Sequence, residues 1–488
     1  MRVRFLAGIY ALLTLSSLSY AGTQEYLVRF RNADVNSSQQ FLQRNGGQLQ
    51  LISREGNLYK WTSAQTYDFT WDASVSYVQS NHPIHLMVNP SIAAQREALV
   101  QVLRRKKKKP VDDGNGDDGN NGDDPQPFAD NPPIQAVPDQ ASGPDPLLSQ
   151  QWGMPFIGAD QAWDSTNAGQ DIIVAVTDSG IDYNHEDLVA AVWHNPNEIP
   201  DNGIDDDKNG YVDDVIGWDF ADNDNKPYDL SASLMDIVLK GANPGHGTHV
   251  SGVIGARRNN ALGISGVAPN CRIMPLRFIN ETGQGDDAAA VKAIDYAVKM
   301  GAKIINASWG GEQGSEDDTA LKEAIQRAQS AGVIFVAAAG NGRQNAKTGT
   351  DAGYDNDTDS KPEVPASYPY PNIVSVAAID DTGKLGSFSN WGEKSVMVGA
   401  PGVKIMSTVP GSRYQDTIID EDGMTATWDG TSMAAPFVSG ALAVIWSQDP
   451  SQTMDEVIEK LRDNAVAIPG LQGKVASGGH VDLKFLVQ

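Results

Sequence analysis

The stretch DIIVAVTDSG, residues 171–180, decides the fold. Its apolar run has no polar alternation and stops at Thr177-Asp178-Ser179-Gly180. A strand that is apolar on both faces is one buried on both faces, as in a parallel sheet covered by helices. Four more runs of this kind follow: CRIMPLRFI (271–279), AKIINASWG (302–310), VIFVAAAGN (333–341) and NIVSVAAID (372–380). Helical spacing lies between several of them. DDAAAVKAIDYAVKMG (286–301) stops at Gly301, and SEDDTALKEAIQRAQSAG (315–332) opens on acids and ends at Gly332. Strands alternating with helices imply an α/β fold with a parallel sheet. Such sheets bind ligands beyond the carboxyl ends of their strands. There the sequence places Asp178-Ser179-Gly180, Ser308-Trp309-Gly310 and Gly340-Asn341.

DGTSMAAP (429–436) sets a hydroxyl before a long apolar run. Ser432 reads either as a helix N-cap or as a nucleophile at a helix start, and Pro436 suits an early helical position under both readings. A serine nucleophile needs a base, and a histidine base needs a carboxylate to orient it. PGHGTHVSG (244–252) offers His246 and His249 on a glycine-lined turn leading into a helix; His249 reads as structural. Zinc is disfavoured, because no HExxH glutamate and no cysteine partner accompany the histidines. An α/β-hydrolase elbow is disfavoured too, because the second glycine of Gly-x-Ser-x-Gly is missing and the chain order is reversed.

TDSGID, HGTHVSG, NASWGG, AAGN and GTSMAAP, in this order, resemble the subtilisin-like serine proteases. The likeness spans residues 147–488, about 70% of the 488-residue chain. It implies a three-layer α/β/α fold with a mainly parallel central sheet. It further implies Asp178 as orienting acid, His246 as general base, Ser432 as nucleophile and Asn341 as oxyanion donor. Ser308, Trp309 and Gly310 would pair with substrate backbone, and Gly310 and Gly340 would leave room for side-chain pockets. Trp309 stands where the family often has a smaller aliphatic residue, so the pocket shape departs from the pattern. The segment 22–103, with strand-like EYLVRF (25–30), NLYKWT (57–62) and VSYVQSN (75–81) and helix-like SSQQFLQRNGG (37–47), is similar to a propeptide: a small α+β domain that inhibits and is then removed.

Between Asp178 and His246 lies DDDKNGYVDD (205–214). Asp205, Asp207 and Asn209 fall on positions 1, 3 and 5 of an EF-hand-like loop, with Gly210 at the turn, Tyr211 offering a carbonyl and Asp213 at position 9. Calcium is the expected cofactor, although no glutamate stands at position 12. The family resemblance adds Asp187 and Asn260 as a second calcium site. The acidic stretch 350–360 has no defined ligand spacing.

Sixty-two acidic and 37 basic residues give a formal net charge of −25. That balance argues against a nucleic-acid partner and suits cation binding. Residues 1–21 carry Arg2 and Arg4, a short apolar run and Ser19-Tyr20-Ala21, the pattern of a secretory signal peptide. No other run is long enough to span a membrane. Residues 104–146 begin with a basic run, RRKKKK, and continue with DDGNGDDGNNGDD, a linker composition. The basic run reads as solvated charge, a processing site or a polyanion patch. The single cysteine, Cys271, reads as a buried inert thiol. The resulting expectation is a secreted, monomeric endopeptidase zymogen, extracellular or periplasmic, acting on polypeptides and held by its own propeptide. The alternative is an inactive relative that binds peptides.

Overall fold

The structure, a computed structural model, describes residues 23–487 except 33–34, 65–71, 73, 88, 107–131, 139–140, 314–317, 345–350 and 422–423. The expected signal peptide and the central part of the expected linker lie outside the described residues. The chain divides into two compact units, Met1–Asn81 and His82–Gln488.

In the first unit, β1 (Gln24–Phe30), α1 (Val35–Asn45), β2 (Gln48–Ser53), β3 (Leu58–Ser63) and β4 (Val75–Ser80) form an α+β fold. The antiparallel sheet runs in the order β2-β3-β1-β4. Phe41 from α1 meets Trp61 edge-on at 5.2 Å, closing a core with Val28, Phe30 and Val75. Strand β2 (QLQLIS) is an addition to the strands read from the sequence, although Gln48 to Leu51 alternate polar and apolar.

The second unit opens with β5 (Pro83–Leu86) and α2 (Pro90–Lys106). Short helices α3 (Gly153–Phe156) and α4 (Ala159–Ala162) lead to β6 (Ile173–Asp178), β7 (Trp218–Asp219), α5 (Leu234–Lys240) and α6 (His246–Gly255). Then come β8 (Arg272–Arg277), β9 (Gln284–Asp286), α7 (Asp287–Lys299), β10 (Ile304–Ala307), β11 (Trp309–Glu312), α8 (Thr319–Ser330) and β12 (Ile334–Ala338). A small pair, β13 (Arg343–Gln344) and β14 (Asp351–Ala352), precedes β15 (Glu363–Val364), β16 (Ile373–Ile379) and β17 (Val398–Pro401). Two hairpins follow, β18 (Ser407–Val409) with β19 (Arg413–Gln415) and β20 (Thr417–Glu421) with β21 (Met424–Thr427). The chain ends with α9 (Thr431–Gln448), α10 (Met454–Asp463), β22 (Val466–Ala467) and β23 (Gly479–His480).

The main sheet has nine strands in the order β22-β23-β17-β16-β12-β10-β6-β8-β7, parallel except for the β22–β23 pair. The five apolar runs are its five adjacent strands, β16 to β8. Helices α6 and α9 pack together over the sheet, while α7 and α8 pack together with β6, β8 and β12, giving three α/β/α layers. Seventeen of the 18 residues of α9, all but Gln448, are buried, which is why its sequence is apolar on every side. Cys271 is fully buried in the core, and burial pushes its thiol up to about 12. Helix α2 lays Ile92, Leu99 and Val100 against Ile237 and Val238 of α5 and Ile419 and Ala426 of the β20–β21 hairpin.

His249 is fully buried on α6, stacked on Trp428 at 4.1 Å, with Nε2 2.9 Å from the Ile405 carbonyl. Burial pushes its pKa down to about 3. The unfolded chain binds this proton near 6.5, so the neutral ring stabilises the fold above that value and the contribution is lost as pH falls toward 3. At pH 4 the loss amounts to about 3 kcal/mol. Urea unfolding at pH 7 and pH 4 should show His249→Asn losing that much less stability than wild type; equal losses would refute the assignment.

Candidate active site

Asp178 ends β6 and is fully buried. His246 begins α6, after Gly245 turns the chain at φ 97°. His246 Nδ1 lies 2.8 and 3.0 Å from the two Asp178 carboxylate oxygens. Ser432 is the second residue of α9, and both it and His246 line one pocket. His246 Nε2 and Ser432 Oγ are buried and make no hydrogen bond among the described residues. A base with its far nitrogen unused, oriented by a carboxylate, beside an unused hydroxyl is an arrangement suited to proton abstraction from that hydroxyl.

Asn341 follows β12 through Gly340, whose φ is 110°. The Asn341 side-chain oxygen accepts from Thr431 N–H at 2.8 Å and from the Thr431 hydroxyl at 2.9 Å. This turns the amide nitrogen toward Gly430, where a β-carbon would lie 3.2 Å from it. The same Thr431 hydroxyl accepts from Gly340 N–H at 3.1 Å, tying the end of β12 to the start of α9.

Pro436 sits a full turn inside α9, deeper than the early position expected for it. Having no N–H, it leaves the Ser432 carbonyl without a helical donor. The Ser308 hydroxyl fills the gap, donating to that carbonyl at 2.9 Å, and itself accepts from Asn306 Nδ2 at 2.9 Å. Ser308 therefore turns its side chain into the core. Trp309 does the same: its indole is buried against Phe278 and Phe335, and Nε1 donates to the Thr177 hydroxyl. The bulk that seemed to alter the pocket is thus spent inside the fold.

The backbone of β11 faces a cleft that is already filled. Strand β5 lies antiparallel to β11 on one side, Leu86 opposite Trp309 and His85 opposite Gly310. On its other side it pairs with β9, Pro83 opposite Asp286 through His85 opposite Gln284. Met87 comes next and lines the pocket that holds His246 and Ser432. Asn89 then anchors the chain, its amide donating to the Thr427 and Asp429 carbonyls and its oxygen capping α2.

In the acidic loop, Asp205 and Asp207 converge with Glu198, their carboxylate oxygens within 4.8 Å of one another. One Glu198 oxygen is buried and has no hydrogen-bond partner among the described residues. Asn209 donates to Asp207 and Asp214, and the Tyr211 ring packs on Trp218. Asp213 accepts from Asn202 and Gly203 N–H groups, capping the neighbouring turn. Elsewhere Asn260 donates to Asp187 at 2.7 Å, and burial raises the Asp187 pKa to about 6. A further carboxylate approaches the pair: Asp145 Oδ1 accepts from Asn260 N–H at 3.1 Å, and its charge helps raise Asp187.

Residues 169–482 match the model of the subtilase family. The chain belongs to that family. It is 35% identical over 320 residues to the thermophilic serine proteinase of Bacillus sp. strain AK1, covering 66% of this chain and 63% of that protein. It is 30% identical over 346 residues to subtilisin-like protease 1 of Plasmodium berghei, covering 70% and 53%. Among solved structures it resembles fervidolysin from Fervidobacterium pennivorans, a keratinolytic enzyme related to subtilisin, with a TM-score of 0.62 and 25% identity over 96% of this chain and 61% of that one. This subtilase therefore spans only about half to two thirds of these relatives' lengths.

Sequence reasoning missed the residues that hold α6 in place. Asp229, fully buried, accepts from Thr248 N–H and hydroxyl, from Asn243 and from the Ser179 hydroxyl. Asn243 accepts from the N–H groups of Gly245 and His246. Burial raises the Asp229 pKa to about 6, against the pull of those donors. An Asn three residues before the helix start is a capping signal that was present in NPGHGTH. Glu198 was missed because it precedes the EF-hand-like register.

Ser308→Ala should leave the buried Ser432 carbonyl without a donor and lower stability by about 1–3 kcal/mol. Adding Pro436→Ala restores a helical N–H to that carbonyl and should recover much of the loss. A urea-unfolding series showing no recovery in the double variant would refute the pairing.

Proposed function

We propose that this subtilase is an exported serine endopeptidase, made as a zymogen and stabilised by calcium. The observation that carries the reading is the His246–Asp178 pair beside an unbonded, buried Ser432 hydroxyl in one pocket. Ser432 Oγ attacks the carbonyl carbon of the scissile peptide, and His246 Nε2 takes its proton. Asp178 orients the imidazole and stabilises its cation. Asn341 and the Ser432 N–H donate to the oxyanion that forms. His246 passes its proton to the departing amine, leaving an ester on Ser432. Water, deprotonated by His246, then frees the acid and restores the hydroxyl. Polypeptide substrates bind as a strand along Trp309 and Gly310, as the chain's own residues do.

The processed bond is the one after Met87, since His85 and Leu86 pair on β11 and Met87 reaches the pocket of Ser432. This point lies upstream of residue 103, where the propeptide-like segment read from the sequence ends. Residues 22–87 act as propeptide, α2 remains with the peptidase, and residues 1–21 direct export; of the expected linker 104–146, residues 104–106 lie in α2, and buried Asp145 is bonded to Asn259, Asn260 and Ser265. No helix among the described residues is long and apolar enough to cross a membrane. The enzyme works as a monomer, without nucleic acid.

Calcium suits Glu198, Asp205 and Asp207: three carboxylates this close repel unless a cation neutralises them, and an orphaned Glu198 oxygen supports the fit. Asp187 and Asn260 supply the second expected site. Bound calcium would neutralise and stiffen these loops.

The test is the mass and N-terminal sequence of the purified protein, wild type beside Ser432→Ala, with calcium present. Wild type should begin at Val88, and Ser432→Ala should keep the propeptide. Identical trimming of both, with no casein hydrolysis by wild type, would sink the proposal. Asn341→Ala should lower kcat by about 10²–10³ with little change in KM. Chelation with EDTA should lower Tm, and excess calcium should restore it, each site contributing about 3 kcal/mol at a hundredfold excess over Kd. A Tm indifferent to both treatments removes calcium from the reading.

A further inference from the structure

Strand β15 runs beside β11, Val364 opposite Gly311 and Glu363 opposite Glu312. Glu363 is buried, 8% exposed, at the back of the cleft. A β-carbon on Gly310 would lie 3.0 Å from the Met87 methyl carbon Cε and 3.0 Å from Glu363 Oε1. A β-carbon on Gly340 would lie 2.9 Å from Glu363 Cγ. The two glycines thus open a slot in which the end of the Met87 side chain and the Glu363 carboxyl meet.

That carboxyl is poorly provided for. Among the described residues its one side-chain hydrogen bond comes from the Tyr354 hydroxyl at 3.3 Å, near the limit for such a bond. Among the described residues it has no ion pair. Arg343, the nearby cation, is taken up by Glu312, by Asp359 and by the face of the Tyr354 ring at 4.0 Å. A buried carboxylate without a cation is costly, and a ligand that brings one recovers the cost.

Methionine and lysine side chains have the same number of atoms as far as Cε. Lysine adds an ammonium one bond beyond, about 1.5 Å further. At the position of Met87 that ammonium would come within reach of Glu363 Oε1. We infer that Glu363 makes this subtilase select lysine immediately before the scissile bond; this rests on the peptidase reading given above. Its own Met87 needs no such selection, because a tethered segment reacts at a high effective concentration.

The preference should depend on pH. The titratable and charged groups facing Glu363 are Tyr354, Glu312 and Arg343, and burial pushes its pKa up to about 7. Below that value the carboxyl is neutral and offers lysine little. Above it the carboxylate is ionised while lysine stays charged. Selectivity for lysine therefore grows as pH rises through 7.

The processed enzyme is given two internally quenched peptides, identical except for Lys or Met before the scissile bond. At pH 8.5, kcat/KM should favour Lys at least tenfold, and the ratio should fall toward one at pH 5.5. Glu363→Gln should bring the ratio at pH 8.5 near one. Cleavage of both peptides with Met equal or preferred at pH 8.5 overturns the inference and leaves the peptidase reading standing. So does a wild-type ratio that does not change with pH, a result that needs no variant to fold. Cleavage of neither peptide overturns both. A further check is Met87→Lys, which should speed self-processing at pH 8.5; unchanged or slower processing counts against the inference.

Discussion

The hydrogen bond between His246 and Asp178 joins the end of a central strand to the start of a helix across 68 residues. Both partners are buried, so neither can turn to water if the other moves. The surrounding order follows from keeping that pair aligned. Ser179, next to Asp178, reaches Asp229; Asp229 holds the first turn of α6 through Thr248; Asn243 holds the N–H groups of Gly245 and His246. The long excursion from 179 to 245 is therefore anchored at the site from within. Its acidic loop lies beyond those anchors, where added length does not disturb the pair.

A second constraint acts on the serine. Proline inside α9 removes one helical hydrogen bond at the turn that carries Ser432. The vacancy is filled from another layer, by Ser308 at the end of β10, which also begins the edge against which β5 pairs. One residue thus couples the helix that carries Ser432 to the wall of the cleft. The strand geometry of that wall supplies main-chain pairing, while the glycines beside it leave room for a side chain.

Much of this was legible in the sequence because it depends on local chemistry. The uninterrupted apolar runs gave the parallel strands, and the turns after them placed Asp178, Ser308 and Asn341 on one edge. The glycines at 245, 340 and 430 are turn signals that the backbone uses. What stayed hidden depends on distant approach. Glu363 lies in a stretch with no motif, and only the pairing of β15 with β11 brings it beside Gly310. Residues 83–87 carry no helix or strand signature that reveals a partner more than 200 residues away. Trp309 looked like a change to the pocket, but a backbone that pairs on one side frees the side chain to turn into the core.

The lone cysteine has a consequence for how the fold is held together. Cys271 packs against Gly255 so closely that a β-carbon on Gly255 would lie 2.8 Å from its sulfur. Its proton is held far above neutral pH, so little thiolate exists to meet an oxidant or a second thiol. The chain has no other sulfhydryl with which to cross-link itself. Its fold is thus held without a disulfide between distant residues.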